Sequence, residues 1–127
     1  MSRVEWGAAE QVLSTHPRVV AAWAFGSAQG GDVRRGGDVD VGVLLAGEAS
    51  LDELAELRAD LQQALRQDDV DLVILNRASS ILRFEALSAR RIFCRDEAAT
   101  AAFASLTARE YEDDVAFLRK GLASRSR

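Results

Sequence analysis

Two aspartates one residue apart, inside an apolar run, constrain this chain more than any other feature. In Asp38-Val39-Asp40-Val41-Gly42-Val43 the alternation of a strand puts Asp38 and Asp40 on one face and the three valines on the other. Two carboxylates about 7 Å apart along one face are poorly placed to pack a core and well placed to hold one or two hard divalent cations. An apolar run, Val19 to Phe25, leads towards them and reads as a buried strand. Between the two strands lie Gly26-Ser27 and ten further residues. Five of the nine glycines fall between Gly26 and Gly37, which concentrates backbone freedom in that one loop. Such a loop offers backbone N–H groups and the Ser27 hydroxyl to a phosphate chain.

A phosphate cradle followed by cation-binding carboxylates is the equipment of nucleotidyl transfer. There a hydroxyl attacks an α-phosphorus in line and pyrophosphate leaves, with two cations about 4 Å apart serving the entering and leaving oxygens. A third carboxylate from an adjacent strand is needed to help hold a cation or take the proton. Asp71, one residue inside the apolar run Val70–Leu75, is the candidate, because an aspartate there costs free energy unless it is paired or bound. Asp68 and Asp69, at the mouth of that run, read as solvated loop residues. Arg34 and Arg35 in the glycine loop stand where they can contact phosphates or simply be solvated. Taken singly, a Gly-rich loop is a plain turn and a lone Asp-x-Asp is a weak sign; their order along the chain carries the reading.

The remaining elements alternate. A helix is expected over Val4–Ser14, closed by Pro17, with strands over Arg18–Phe25 and Val39–Leu45. Ser27 is expected to cap a short helical turn running to Asp32. Ser50 with Glu53 three residues on predicts a capped helix to about Arg66, carrying Leu51, Leu54, Leu57, Leu61 and Leu65. A strand over Val70–Leu75, a helix over Ser80–Ala89 and a short strand over Arg91–Arg95 follow. A helix from Asp96 to about Leu122 closes the chain, with Phe103, Leu106, Tyr111, Val115, Leu118 and Leu122 as its buried stripe. The 127 residues suit one domain, 1–127. A net charge of −4 argues against broad coating of nucleic acid. The single cysteine, Cys94, has no internal disulfide partner and reads as a small buried hydrophobe in a reducing cytoplasm. No segment has the length or apolarity of a membrane span. His16, beside Pro17, reads as a loop residue.

The run from Gly26-Ser27 through Asp38-Val39-Asp40 resembles the signature of the minimal nucleotidyltransferases of the polymerase-β-like superfamily: Gly-Ser, ten residues, Asp-x-Asp. Val70 to Ala78, Leu82 to Leu87 and Arg109 to Asp113 extend the likeness to MntA-type antitoxins of type VII toxin–antitoxin systems. The resemblance implies an α/β (α+β) fold with a small, mixed, largely antiparallel sheet and helices packed on one face. It implies Asp38, Asp40 and Asp71 as catalytic and metal-binding residues, Gly26, Ser27 and Arg34 as nucleotide-binding residues, and two Mg²⁺ ions with ATP as substrate. It also implies transfer of AMP to a tyrosine of a HepT-type HEPN ribonuclease toxin, which neutralises it. Gly37 stands where the family commonly has serine, and Gly36 replaces a commonly polar residue, so the loop loses a hydroxyl and gains freedom.

Two other functions are compatible with the residues: a small-molecule nucleotidyltransferase and a non-catalytic antitoxin. The short chain leaves little room for a small-molecule pocket, and retention of three acids argues against binding alone. The residues do not distinguish ATP from GTP or CTP. Phe117, with Phe84, lies off the expected apolar stripes and is expected to form a docking surface for a protein acceptor.

Overall fold

The computed structural model describes residues 2–33 and 38–125. Among them the order is β1 (Ser2–Arg3), α1 (Trp6–Ser14), β2 (Val19–Phe25), β3 (Asp32–Val33), β4 (Val39–Leu45), α2 (Leu51–Leu65), β5 (Val70–Ile74), α3 (Ser80–Leu87), β6 (Arg90–Cys94) and α4 (Glu97–Arg125). Short 3-10 turns follow β2 and β5. The main sheet has the order β5-β4-β2-β6; β4 and β5 run parallel and the other neighbours antiparallel. The mixed α/β architecture expected from the sequence is the one observed.

Parallel β4 and β5 need a crossover, and α2 supplies it. Ser50 starts that helix by accepting the Glu53 N–H at 3.1 Å, and Arg66, left-handed at φ 54°, ends it. Leu57, Leu61 and Leu65 are buried on one sheet face with Ala9 and Leu13 of α1 and Val39, Val41 and Val43 of β4. Exposed Leu51, expected in the same stripe, precedes the part of the helix that reaches the sheet.

Helices occupy both faces of the sheet, which corrects the one-face expectation. Alternation in β2 turns Ala22 and Ala24 to the α1–α2 side and Ala21, Trp23 and Phe25 to the other. There α3 and α4 complete a second core with Leu75, Ala86 and Phe103. Arg83 of α3 fastens this layer. Its Nε donates to the Leu75 carbonyl at 2.7 Å, an Nη donates to the Asn76 carbonyl at 2.5 Å, and its guanidinium lies over the Phe103 ring.

The stripe expected on α4 is also corrected. Phe103 and Tyr111 are half-buried, but Leu106, Leu118 and Leu122 are exposed, and Thr100 and Thr107 are the residues that α4 buries. Periodicity identified an apolar face; the last third of the helix lies beyond the body that would cover it. Phe84 stacks on Tyr111 with ring centroids 4.1 Å apart, so it is largely committed to the α3–α4 contact. Cys94 is half-buried, with its Sγ 3.4 Å from the Thr100 hydroxyl. No helix among the described residues is long and apolar enough to cross a membrane.

Candidate nucleotide-transfer site

The first turn after β2 is built around one carboxylate. Phe25 is paired with Asp40 across β2 and β4, and the chain then turns at Gly26 with φ +76°. The backbone angle favours glycine here, and a Cβ at Gly26 would displace the Asp40 Oδ2. The turn spans Gly26–Ala28 and begins one residue earlier than expected, which puts Ser27 inside it rather than at its cap. The Ser27 hydroxyl lies outside the described side chains, and Arg34, Arg35, Gly36 and Gly37 lie outside the described residues.

The first half of the loop is held by bonds to its backbone carbonyls. Gln29 donates from its Nε2 to the Gly26 carbonyl at 3.3 Å, and Arg90 donates to the Gln29 carbonyl at 3.3 Å. The Val4 N–H donates to the Gly31 carbonyl at 2.6 Å beside the β1–β3 pair, a small sheet with no signal in the sequence.

Asp40 and Asp71 are register partners in the parallel β4–β5 pair. Register partners in neighbouring strands point the same way, with backbones about 4.8 Å apart, so the sheet places two carboxylates side by side. Asp38 stands exposed just before β4. Burial pushes the Asp40 carboxyl above its ordinary value, and the negative charges of Asp71, Asp38 and Glu85 push it further the same way. The other two aspartates singled out in the sequence thus both act on Asp40.

Two further residues reach this end of the sheet. Glu85 of α3 belongs to the negative field around Asp40. Arg58 of α2 donates from its Nε to the Val70 carbonyl at 3.0 Å and helps line a pocket of about 200 Å³ with Asp38, Asp69, Val70 and Asp71. Neither was found from the sequence, where no spacing ties a helix residue to a strand-end carboxylate. A larger cavity of about 600 Å³ lies at the other end of β2 and β4, by Val19 and Leu45, and does not touch the carboxylates.

The donor set at this end is all oxygen, which suits a hard divalent cation and no soft one. Among the described residues no three His, Cys, Asp or Glu side chains are placed to enclose an ion by themselves. The arrangement is a carboxylate pair with flanking acids, exposed to solvent at Asp38 and Asp71.

The profile of the family described as polymerase beta, nucleotidyltransferase matches residues 8–98, a span from α1 to the start of α4 that contains the turn and all three aspartates. The chain belongs to that nucleotidyltransferase family. No curated protein matches it in sequence. Among solved structures this nucleotidyltransferase is similar to a chain from a toxin–antitoxin complex with AMP-PNP, at 25% identity and TM-score 0.78, covering 98% of this chain and 100% of that one. It is similar in fold to a chain from the MntA–HpeT pair with two aspartates changed to glutamate, at 22% identity and TM-score 0.77, covering 98% and 100%. A chain from the tri-AMPylated Shewanella oneidensis HEPN toxin in complex with MNT antitoxin shares the fold at 23% identity and TM-score 0.70, covering 97% and 100%.

Proposed function

We propose that this nucleotidyltransferase is an antitoxin that transfers AMP from ATP to a tyrosine of a HEPN-family ribonuclease toxin of the HepT type and thereby silences it. The observation that carries the reading is the parallel pairing of Asp40 with Asp71 beside the Gly26 turn. The likeness to toxin–antitoxin chains, one of them with an ATP analogue, supports the choice of nucleotide and acceptor.

The chemistry assigns a task to each residue. Backbone donors of the Gly26–Ala28 turn and the Ser27 hydroxyl receive the phosphates, and Arg34 and Arg58 add positive charge beside them. Asp38, Asp40 and Asp71 would hold Mg²⁺, two ions in this reading, which would supply positive charge to offset the carboxylates and the triphosphate. The site fits such a cation because burial and three neighbouring acids raise the cost of ionising Asp40, and a positive charge lowers it. The acceptor oxygen forms its bond to the α-phosphorus as the bond to pyrophosphate breaks, and its proton passes to Asp71. A cytoplasmic setting accords with the free cysteine and with the substrate.

Incubation with α-labelled ATP, Mg²⁺ and the cognate toxin tests this. Label should appear on a toxin tyrosine with the wild-type chain and not with Asp40→Asn. Label on small molecules alone would favour a small-molecule transferase. Toxin silenced without label would make the chain a binding antitoxin. Either result overturns the proposal.

A further inference from the structure

We propose that the chain pairs with a second copy of itself, the apolar end of α4 in each copy seated in the acid-rimmed groove between α2 and the start of β2 of the other. The proposal is independent of the transfer reaction. It starts from a helix that outruns its support. Contact between α4 and α3 reaches Asp114, whose carboxylate accepts the Ser80 hydroxyl at 2.5 Å; from Ala116 to Leu122 every residue is exposed. Phe117 is 77% exposed and Leu118 53%. With Gly121, which has no neighbour within 4 Å of a Cβ position, they line a dimple of about 170 Å³. Helix propensity alone supports an unpacked end of this kind poorly. The same turns carry Arg119 and Lys120, with Lys120 three residues from Phe117 and so beside it.

The complementary surface is on the same chain. The cavity of about 600 Å³ has Val19, Leu45 and Leu57 in its floor and Glu53, Glu56 and Asp60 of α2 along its rim. Arg18 answers Glu53 at 2.9 Å and His16 answers Asp60 at 2.8 Å. Glu56 has no ion pair among the described residues. An apolar groove with a net negative rim fits a cationic apolar helix end.

Placement allows both insertions at once. Ser80 follows Asn76, whose side chain pairs with the Leu45 N–H and carbonyl at 2.9 Å each, so the α4 end and the groove share one end of the sheet. They lie on opposite faces, and a twofold axis between two copies presents each tip to the other's groove. Mutual insertion covers two tips and two grooves, twice the surface that one insertion covers. The carboxylates lie about 20 Å away along β4. That last point separates this surface from the acceptor's, which is needed at the carboxylate end.

Sedimentation velocity on the full chain over a micromolar concentration series tests the pairing, with circular dichroism as the folding control. A reversible dimer is expected. Phe117→Ser and Glu56→Lys should each weaken it by roughly tenfold or more. Adding Lys120→Glu to Glu56→Lys should restore it, which loss of folding could not mimic. A monomer at every concentration, or a dimer indifferent to all three changes, overturns the proposal. So does a monomer whose Phe117→Ser variant loses binding to a toxin, since the tip would then belong to that partner.

Discussion

Removing the Asp71 charge should stabilise the cation-free fold while ending its chemistry. Asp71 sits beside Asp40 across β4 and β5, and Asp40 is half-buried. Two unit charges about 5 Å apart repel by roughly 3 kcal/mol at an effective dielectric of 20. Asp71 is exposed, so solvent and salt reduce this to about 1 kcal/mol. Asp71→Asn should therefore raise the melting temperature in EDTA by roughly 3–5 °C for a chain of this size. The pH dependence has a definite sign. Asp40 is held above its ordinary value in the fold, so the unfolded chain gives up that proton first. Stability from this group is full when Asp40 is protonated and is lost as pH rises from the ordinary carboxylate range through the folded value. The gain from Asp71→Asn should thus be complete at neutral pH and shrink in acid. Thermal melts in EDTA across pH and salt measure it. A lower melting temperature for the variant at neutral pH would refute the reasoning, because the carboxylate would then be making a stabilising contact stronger than the repulsion.

Other outcomes are equally open to measurement. Asp38→Asn and Asp40→Asn should each abolish label transfer from ATP while the circular dichroism spectrum is unchanged; near-normal transfer by either would remove it from the cation set. Ser27→Ala should lower kcat/KM by a smaller factor, equivalent to about 1.5–3 kcal/mol, since the backbone donors of the turn remain. Gly26→Ala, forced to φ +76° against Asp40, should cost about 1–3 kcal/mol in chemical denaturation and also impair transfer. Arg83→Ala strips donors from two carbonyls beneath α3 and should cost about 2–3 kcal/mol of stability.

The strands and helices were legible wherever a local signal set them. Val39–Leu45 appears with the bounds its alternation suggests, and Ser50 caps α2 through the bond that Glu53 predicts. The pairing of Asp40 with Asp71 is less local. The apolar run around Asp71 marked a strand, but only the crossover through α2 makes it parallel and sets the register. Helices on both faces escaped for the same reason, because alternation shows that both sides of β2 are apolar without saying what covers each. Glu85 and Arg58 needed the packing of α3 and α2 before either could be related to a strand end. On α4 the spacing of Leu118 and Leu122 described a face, and burial depends on whether a neighbour extends that far.

The two cores divide the molecule's labour. The side formed with α1 and α2 is packed by Leu13, Leu57, Leu61 and the valines of β4, none of them a candidate site residue. The side formed with α3 and α4 shares its face of β4 with Asp40, and Gly42 meets Leu75 there at 3.2 Å from a Cβ position. Robustness can therefore be engineered on one side with little effect on turnover, by better filling around Leu61 for instance. On the other side one added methyl at Gly42 would push Leu75 and the layer above it, and the geometry of the reaction would drift with the packing.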